Sequence, residues 1–109
     1  VNEKGFGAFV DRVWDLARGL VQSFADTANA VLATIRTAVA AGDFLALSEA
    51  AHVIKGASAN LFASAVVVEA RRLEEAAKLR DVVEIKMCAE RASIEVGKAV
   101  EYFRTWMGS

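Results

Sequence analysis

The sequence has no proline, one tyrosine, one histidine and one cysteine among its 109 residues. Without proline, no position is barred from a helix interior. Hydrophobic residues make up 55% of the chain and many are alanine, so composition favours helices over strands. Cys88 has no second cysteine to pair with, which excludes an internal disulfide and fits a reducing, cytoplasmic setting. Charge of one sign is also missing: 13 Lys and Arg stand against 14 Asp and Glu, for a formal net charge of -1. Such a balance supplies no field to hold nucleic acid or an anionic membrane. No apolar run approaches the roughly 20 residues that span a bilayer, and the start, Val1-Asn2-Glu3-Lys4-Gly5, lacks the layout of a signal peptide. One histidine and one cysteine on different helices are too few ligands for zinc or haem, so no metal site is expected. A Gly-rich nucleotide loop, a Walker-type lysine and a kinase signature are all absent, which argues against autonomous ATP hydrolysis or autophosphorylation.

What is present is helical periodicity with sparse punctuation: Gly5, Gly7, Gly19, Gly42-Asp43, the stretch from Asn60 to Ser64, and Asp81. A short first helix over residues 6–18 places Phe9, Val13 and Leu16 or Ala17 on one stripe with Trp14 beside it, as a lid on one end of a bundle. A second helix over 21–41 carries Phe24, Ala28, Val31, Ile35 and Val39 inward at spacings of three and four, and Gly42 stops it. Asp43 is placed to cap a third helix that turns Phe44, Leu47, Ala51, Ile54 and Leu61 inward and ends near Asn60. A fourth over 64–80 buries Val66, Ala70, Leu73 and Ala77. The fifth opens with Asp81 and Glu84 at capping-box spacing and lines its inner face with Ile85, Ala92, Val96, Ala99, Phe103 and Trp106. Short loops force successive helices to run antiparallel. The expected fold is therefore all-α, an up-down-up-down four-helix bundle with a short additional N-terminal helix, in one domain over residues 1–109. The chain begins without methionine and ends at Gly108-Ser109 just past an amphipathic helix, as an excised piece of a longer protein does; a free-standing protein remains the alternative.

At about 100° per residue, His52 falls roughly 140° from the centre of its helix's apolar stripe and points to solvent. A lone exposed histidine needs no function. Its neighbours on the same face are Leu45, Ser48, Lys55, Gly56 and Ala59, which surround the ring with small groups and one cation. A glycine inside an alanine-rich helix costs about 1 kcal/mol against alanine, so Gly56 suggests that something must approach the backbone beside His52. A phosphoryl carrier needs a nucleophile whose phosphorylated form is labile, and imidazole meets that need. Lys55, at i+3, would lie beside the phosphoryl oxygens, while Ser48, Gly56 and Ala59 leave room for an acceptor site to close over the ring.

The run Ala51-His52-Val53-Ile54-Lys55-Gly56-Ala57-Ser58-Ala59-Asn60-Leu61 resembles the signature of histidine-containing phosphotransfer (HPt) domains, A-H-x-[LI]-K-G followed by small residues and N-L. Leu73-Glu74 matches the family's L-E on the next helix, and Gly42-Asp43 the G-D that precedes the histidine helix. The similarity covers residues 24–80. It departs after N-L, where the family has glycine and this chain has Phe62.

The resemblance implies a four-helix bundle without catalytic machinery of its own. Its histidine accepts a phosphoryl group from a receiver-domain aspartate and passes it to another receiver. His52 is then the phosphoacceptor, Lys55 the charge partner and Gly56 the close-contact position. The receiver supplies Mg2+, and this chain binds no cofactor. Related chemotaxis kinases carry a histidine and a glutamate on the following helix, where this chain has Arg71 and Glu74. Glu74 is thus placed to orient the ring, or else pairs with Lys78 at i+4, and Arg71 argues against the chemotaxis subtype. Val67 and Val68, with Leu45, form a candidate apolar docking patch that also includes Arg71. The expected partners are receiver domains, with a histidine kinase as a further one, and the chain is expected to be a monomer. Two alternatives stay open: a phosphoacceptor segment of a larger hybrid or chemotaxis-like histidine kinase, and a protein-binding bundle that is never phosphorylated.

Overall fold

The structure, a computed structural model, describes residues 3–61 and 63–106, and the side chains of all of these except Glu3, Lys4, Phe6 and Trp106. The departure at Phe62, the inward placing of Trp106 and the terminal Gly108-Ser109 lie outside the described residues. Four helices follow one another: α1 (Glu3–Ala41), α2 (Phe44–Asn60), α3 (Ser64–Leu79) and α4 (Val82–Trp106). No strand occurs among the described residues. Each helix packs on the one before it and α4 closes back on α1, which makes the up-down-up-down bundle.

The connections are tight because the local chemistry ends each helix sharply. Gly42 sits at φ 67°, and the amides of Gly42 and Asp43 reach back to the carbonyls of Val39 and Ala38, so the last turn of α1 keeps its hydrogen bonds. The Asp43 carboxylate then accepts from the Ala46 amide at 3.1 Å and starts α2. The same device recurs after α3, where Arg80 takes the left-handed conformation at φ 55° without being glycine. Its guanidinium lies over the Phe44 ring, 5.5 Å from the centroid, a cation–π contact that offsets part of the cost of that backbone. Asp81 caps α4 through the Glu84 amide at 3.1 Å.

The core is one cluster built from all four helices, with Phe24, Ala28, Ile35, Leu47, Ala51, Ile54, Val66, Leu73, Ile85 and Val96 at its centre. Cys88 is buried within it. Its thiol donates to Glu84 at 3.3 Å; burial and the nearby carboxylate push its pKa up to about 11, which leaves the sulfur an inert packing group. Val31, Val39, Phe44, Leu61 and Ala99, expected inside, only flank this cluster, while Leu32 and Ala38 take the inner positions on α1.

The separate first helix does not exist. Residues 3–41 form one helix whose length, at 1.5 Å per residue, accounts for the 59 Å long axis of the molecule. Gly19 fails to break it because continuing an existing helix gains a hydrogen bond per residue, and no proline or capping side chain offers the backbone another course. Nor do these residues form a lid. Phe9, Val13, Leu16 and Leu20 are exposed, and the N-terminal part of α1 extends past the bundle, while Val10, Trp14 and Ala17 on its other side are partly covered.

Candidate functional site

His52 lies mid-way along α2, and its side chain is 70% exposed. It is exposed because Ala51 and Ile54, its neighbours on either side of the stripe, take the buried positions. The ring is nonetheless held. His52 Nδ1 lies 3.1 Å from Glu74 Oε2 on α3, and Lys55 Nζ donates to Glu74 Oε1 at 2.9 Å. Glu74 thus spans two α2 side chains one turn apart, using one carboxylate oxygen for each. Its side chain is 14% exposed and that of Lys55 25%, so both partners stand behind the imidazole on the protein side.

The electrostatics follow from that arrangement. The Lys55 hydrogen bond holds the Glu74 pKa below its ordinary value against the opposing effect of burial; the Lys55 charge, the His52 hydrogen bond and the Lys78 charge act in the same direction. An ionised carboxylate only accepts, so the proton of a neutral His52 ring belongs on Nδ1. The lone pair is then on Nε2, the nitrogen away from Glu74.

The residues around the ring are a mixed set. Leu45 is 71% exposed one turn before Ser48, Ser48 is partly covered, and Gly56 and Ala59 are open. A Cβ added at Gly56 would meet nothing within 4 Å, so the fold does not require glycine there. Gly19 and Gly97 share that openness; Gly56 differs in standing one turn from His52. On α3, Val67, Arg71, Glu74 and Lys78 follow at helical spacing along one face; Val67 is partly covered and Arg71 exposed. Of the two roles open to Glu74 in the sequence, the geometry has the carboxylate on His52 and Lys55, while Lys78 acts through its charge alone. Val53, beside His52 and half exposed, joins this surface although its spacing drew no attention; Val68 is exposed as well.

A family model described as Hpt domain matches residues 19–106, which is most of the chain. The chain belongs to the Hpt domain family. No curated protein and no solved structure matches it. Hpt domains are phosphocarriers rather than catalysts, and membership gives this one a histidine phosphotransfer role in a phosphorelay, with receiver domains or kinases as its class of partner. The match begins at residue 19, within α1, and the residues before it lie outside the matched stretch. Among the described residues, no helix is long and apolar enough to cross a membrane.

Proposed function

We propose that His52 is the phosphoacceptor of this Hpt domain, taking a phosphoryl group from a receiver-domain aspartyl phosphate through Nε2 and returning it to the aspartate of another receiver. The observation that carries the reading is the outward imidazole fixed from behind by Glu74. In the forward step the Nε2 lone pair forms a bond to phosphorus as the bond between phosphorus and the aspartate oxygen breaks. The aspartate leaves as carboxylate and Nδ1 keeps its proton. The ring gains positive charge as it loses its lone pair, and the Glu74 carboxylate at Nδ1 stabilises that charge. Reversal toward a second receiver uses the same contacts.

Lys55 acts as the charge partner in two senses: it neutralises Glu74 in the resting site, and its ammonium lies one turn from the ring that receives the phosphoryl oxygens. Gly56, Ser48 and Ala59 keep the surface low where the acceptor closes in, and Leu45, Val67 and Arg71 form the rim on which it docks. Mg2+ and most of the charge stabilisation of the transferring group belong to the receiver; a cytoplasmic setting follows from that partnership.

Incubation with a phosphorylated receiver and magnesium tests this directly. Acid-labile label should move to the parent chain and not to His52→Gln. Labelling by ATP in the presence of an added kinase core, with none from any receiver, would instead favour a kinase's phosphoacceptor segment.

A further inference from the structure

Exposed aliphatic and aromatic side chains are scattered over most proteins and need no explanation, but those on the first half of α1 are not scattered. Phe9, Val13, Leu16 and Leu20 are 48–70% exposed and follow one another at spacings of four, three and four, the repeat of a helix seam that expects another helix. Asp11, Arg12, Asp15 and Arg18 lie off this stripe, with Arg18 and Asp15 paired to each other at 3.1 Å. At its root the stripe runs into an open groove of about 720 Å³, lined by Ala17, Leu20, Val21, Leu61, Tyr102 and Phe103 among others. Stripe and groove share Leu20, so one occupant can cover both.

We propose that the occupant is a second copy of this chain, and that the projecting halves of two α1 helices pair antiparallel into a two-fold dimer. Two features select a copy over another partner. The stripe is self-complementary: about a midpoint between Val13 and Leu16, Phe9 faces the other copy's Leu20 and Val13 faces its Leu16, with each contact made twice as a two-fold axis requires. In that register the first turns of each helix arrive at the other's groove.

The area is also sufficient. Eighteen residues of helix are about 27 Å long and about 10 Å across, so half the cylinder is about 400 Å². Two such faces with the two groove rims reach the roughly 1,000 Å² that a specific interface requires. Phe9, Val13 and Leu16 precede the family match and Leu20 falls just inside it; the seam lies away from the His52 face, so pairing leaves both histidines accessible. This departs from the monomer expected of the sequence.

Sedimentation equilibrium of the 109-residue chain should give twice its 11.7 kDa mass. Val13→Glu/Leu16→Glu should return it to the single-chain mass with helicity and receiver-dependent labelling unchanged; Leu45→Glu, on the other side of the bundle, should leave the double mass intact. Register is read by mixing Val13→Cys chains with Leu16→Cys chains under mild oxidation, since Cys88 is buried. Links between the two variants should dominate. A single-chain mass at submillimolar concentration, a dimer indifferent to the glutamates, or links only between like variants would each overturn the proposal. So would a receiver or an upstream segment found on the stripe in place of the copy.

Discussion

Two parts of this molecule expose apolar and functional side chains to water, and they do so on different terms. The His52 face is backed. Behind the imidazole stand Glu74 and Lys55, largely covered, and behind those the buried Leu73, Ala51 and Ile54, so the ring's orientation is set before any partner arrives. On the first half of α1, Phe9, Val13 and Leu16 form an exposed apolar stripe that no side-chain hydrogen bond or ion pair can hold, beside the partly covered Val10, Trp14 and Ala17. Exposure on the first face is prepared for a visitor that comes and goes, whereas on the second it is an apolar surface waiting to be covered. The difference teaches that being exposed does not make a residue a site; what holds it from behind does.

That contrast can be broken in several places. The largest effect belongs to Gly56→Gln. A Cβ added at this position meets nothing within 4 Å and glutamine is a better helix former than glycine, so the unfolding midpoint should hold or rise slightly, while receiver-dependent labelling falls toward the level of His52→Gln; full transfer by this variant would remove the close-approach reading. Next, two leucines separate backed from unbacked surface. Leu73→Ala, at a fully buried position, should cost about 2–5 kcal/mol of unfolding free energy. Leu16→Ala, compared at dilutions where the chain is single, should stay within about 0.5 kcal/mol, and equal losses would erase the distinction.

Glu74→Gln comes third. Losing one hydrogen bond to an ionised partner costs about 1.5–3 kcal/mol, which predicts transfer slowed about 10- to 100-fold with receiver affinity little changed. The same carboxylate has a pH signature. Its folded pKa lies below the ordinary 4.5, so its contribution to stability is complete above that value and is lost as pH falls through the lower folded value. The difference in urea midpoint between parent and Glu74→Gln should therefore be flat above pH 4.5 and close below it. The smallest effect is expected at Arg80→Gly. Relief of the left-handed backbone, about 1 kcal/mol, is opposed by loss of the Phe44 contact, about 0.5–1 kcal/mol, and the net change should be under about 1 kcal/mol.

Much of the bundle was legible because its determinants are local. Asp43 and Asp81 cap where their spacing says they should, Gly42 turns the chain as its lack of a side chain permits, and α3 buries the residues its period selects. The helix through Gly19 was not legible, since one glycine is a cost and not a stop, and only the sum along the whole helix decides. The inner face of α1 was half right because periodicity along one helix does not say where α2 and α4 pack against it: Leu32 lies inside and Val31 is partly open. At the site, the exposure of His52 followed from its angle on α2, and so did the nearness of Lys55. That one carboxylate on α3 engages both side chains could not be read from α2 alone, because it depends on how the two helices are set against each other.

The account rests on His52 being poised by Glu74 to react through its outer nitrogen, and nuclear magnetic resonance of ring-labelled protein after phosphorylation by a receiver tests that most directly. It predicts a phosphorus–nitrogen bond at Nε2, with Nδ1 still protonated and facing Glu74. Phosphate found on Nδ1, or on any residue other than His52, would contradict it.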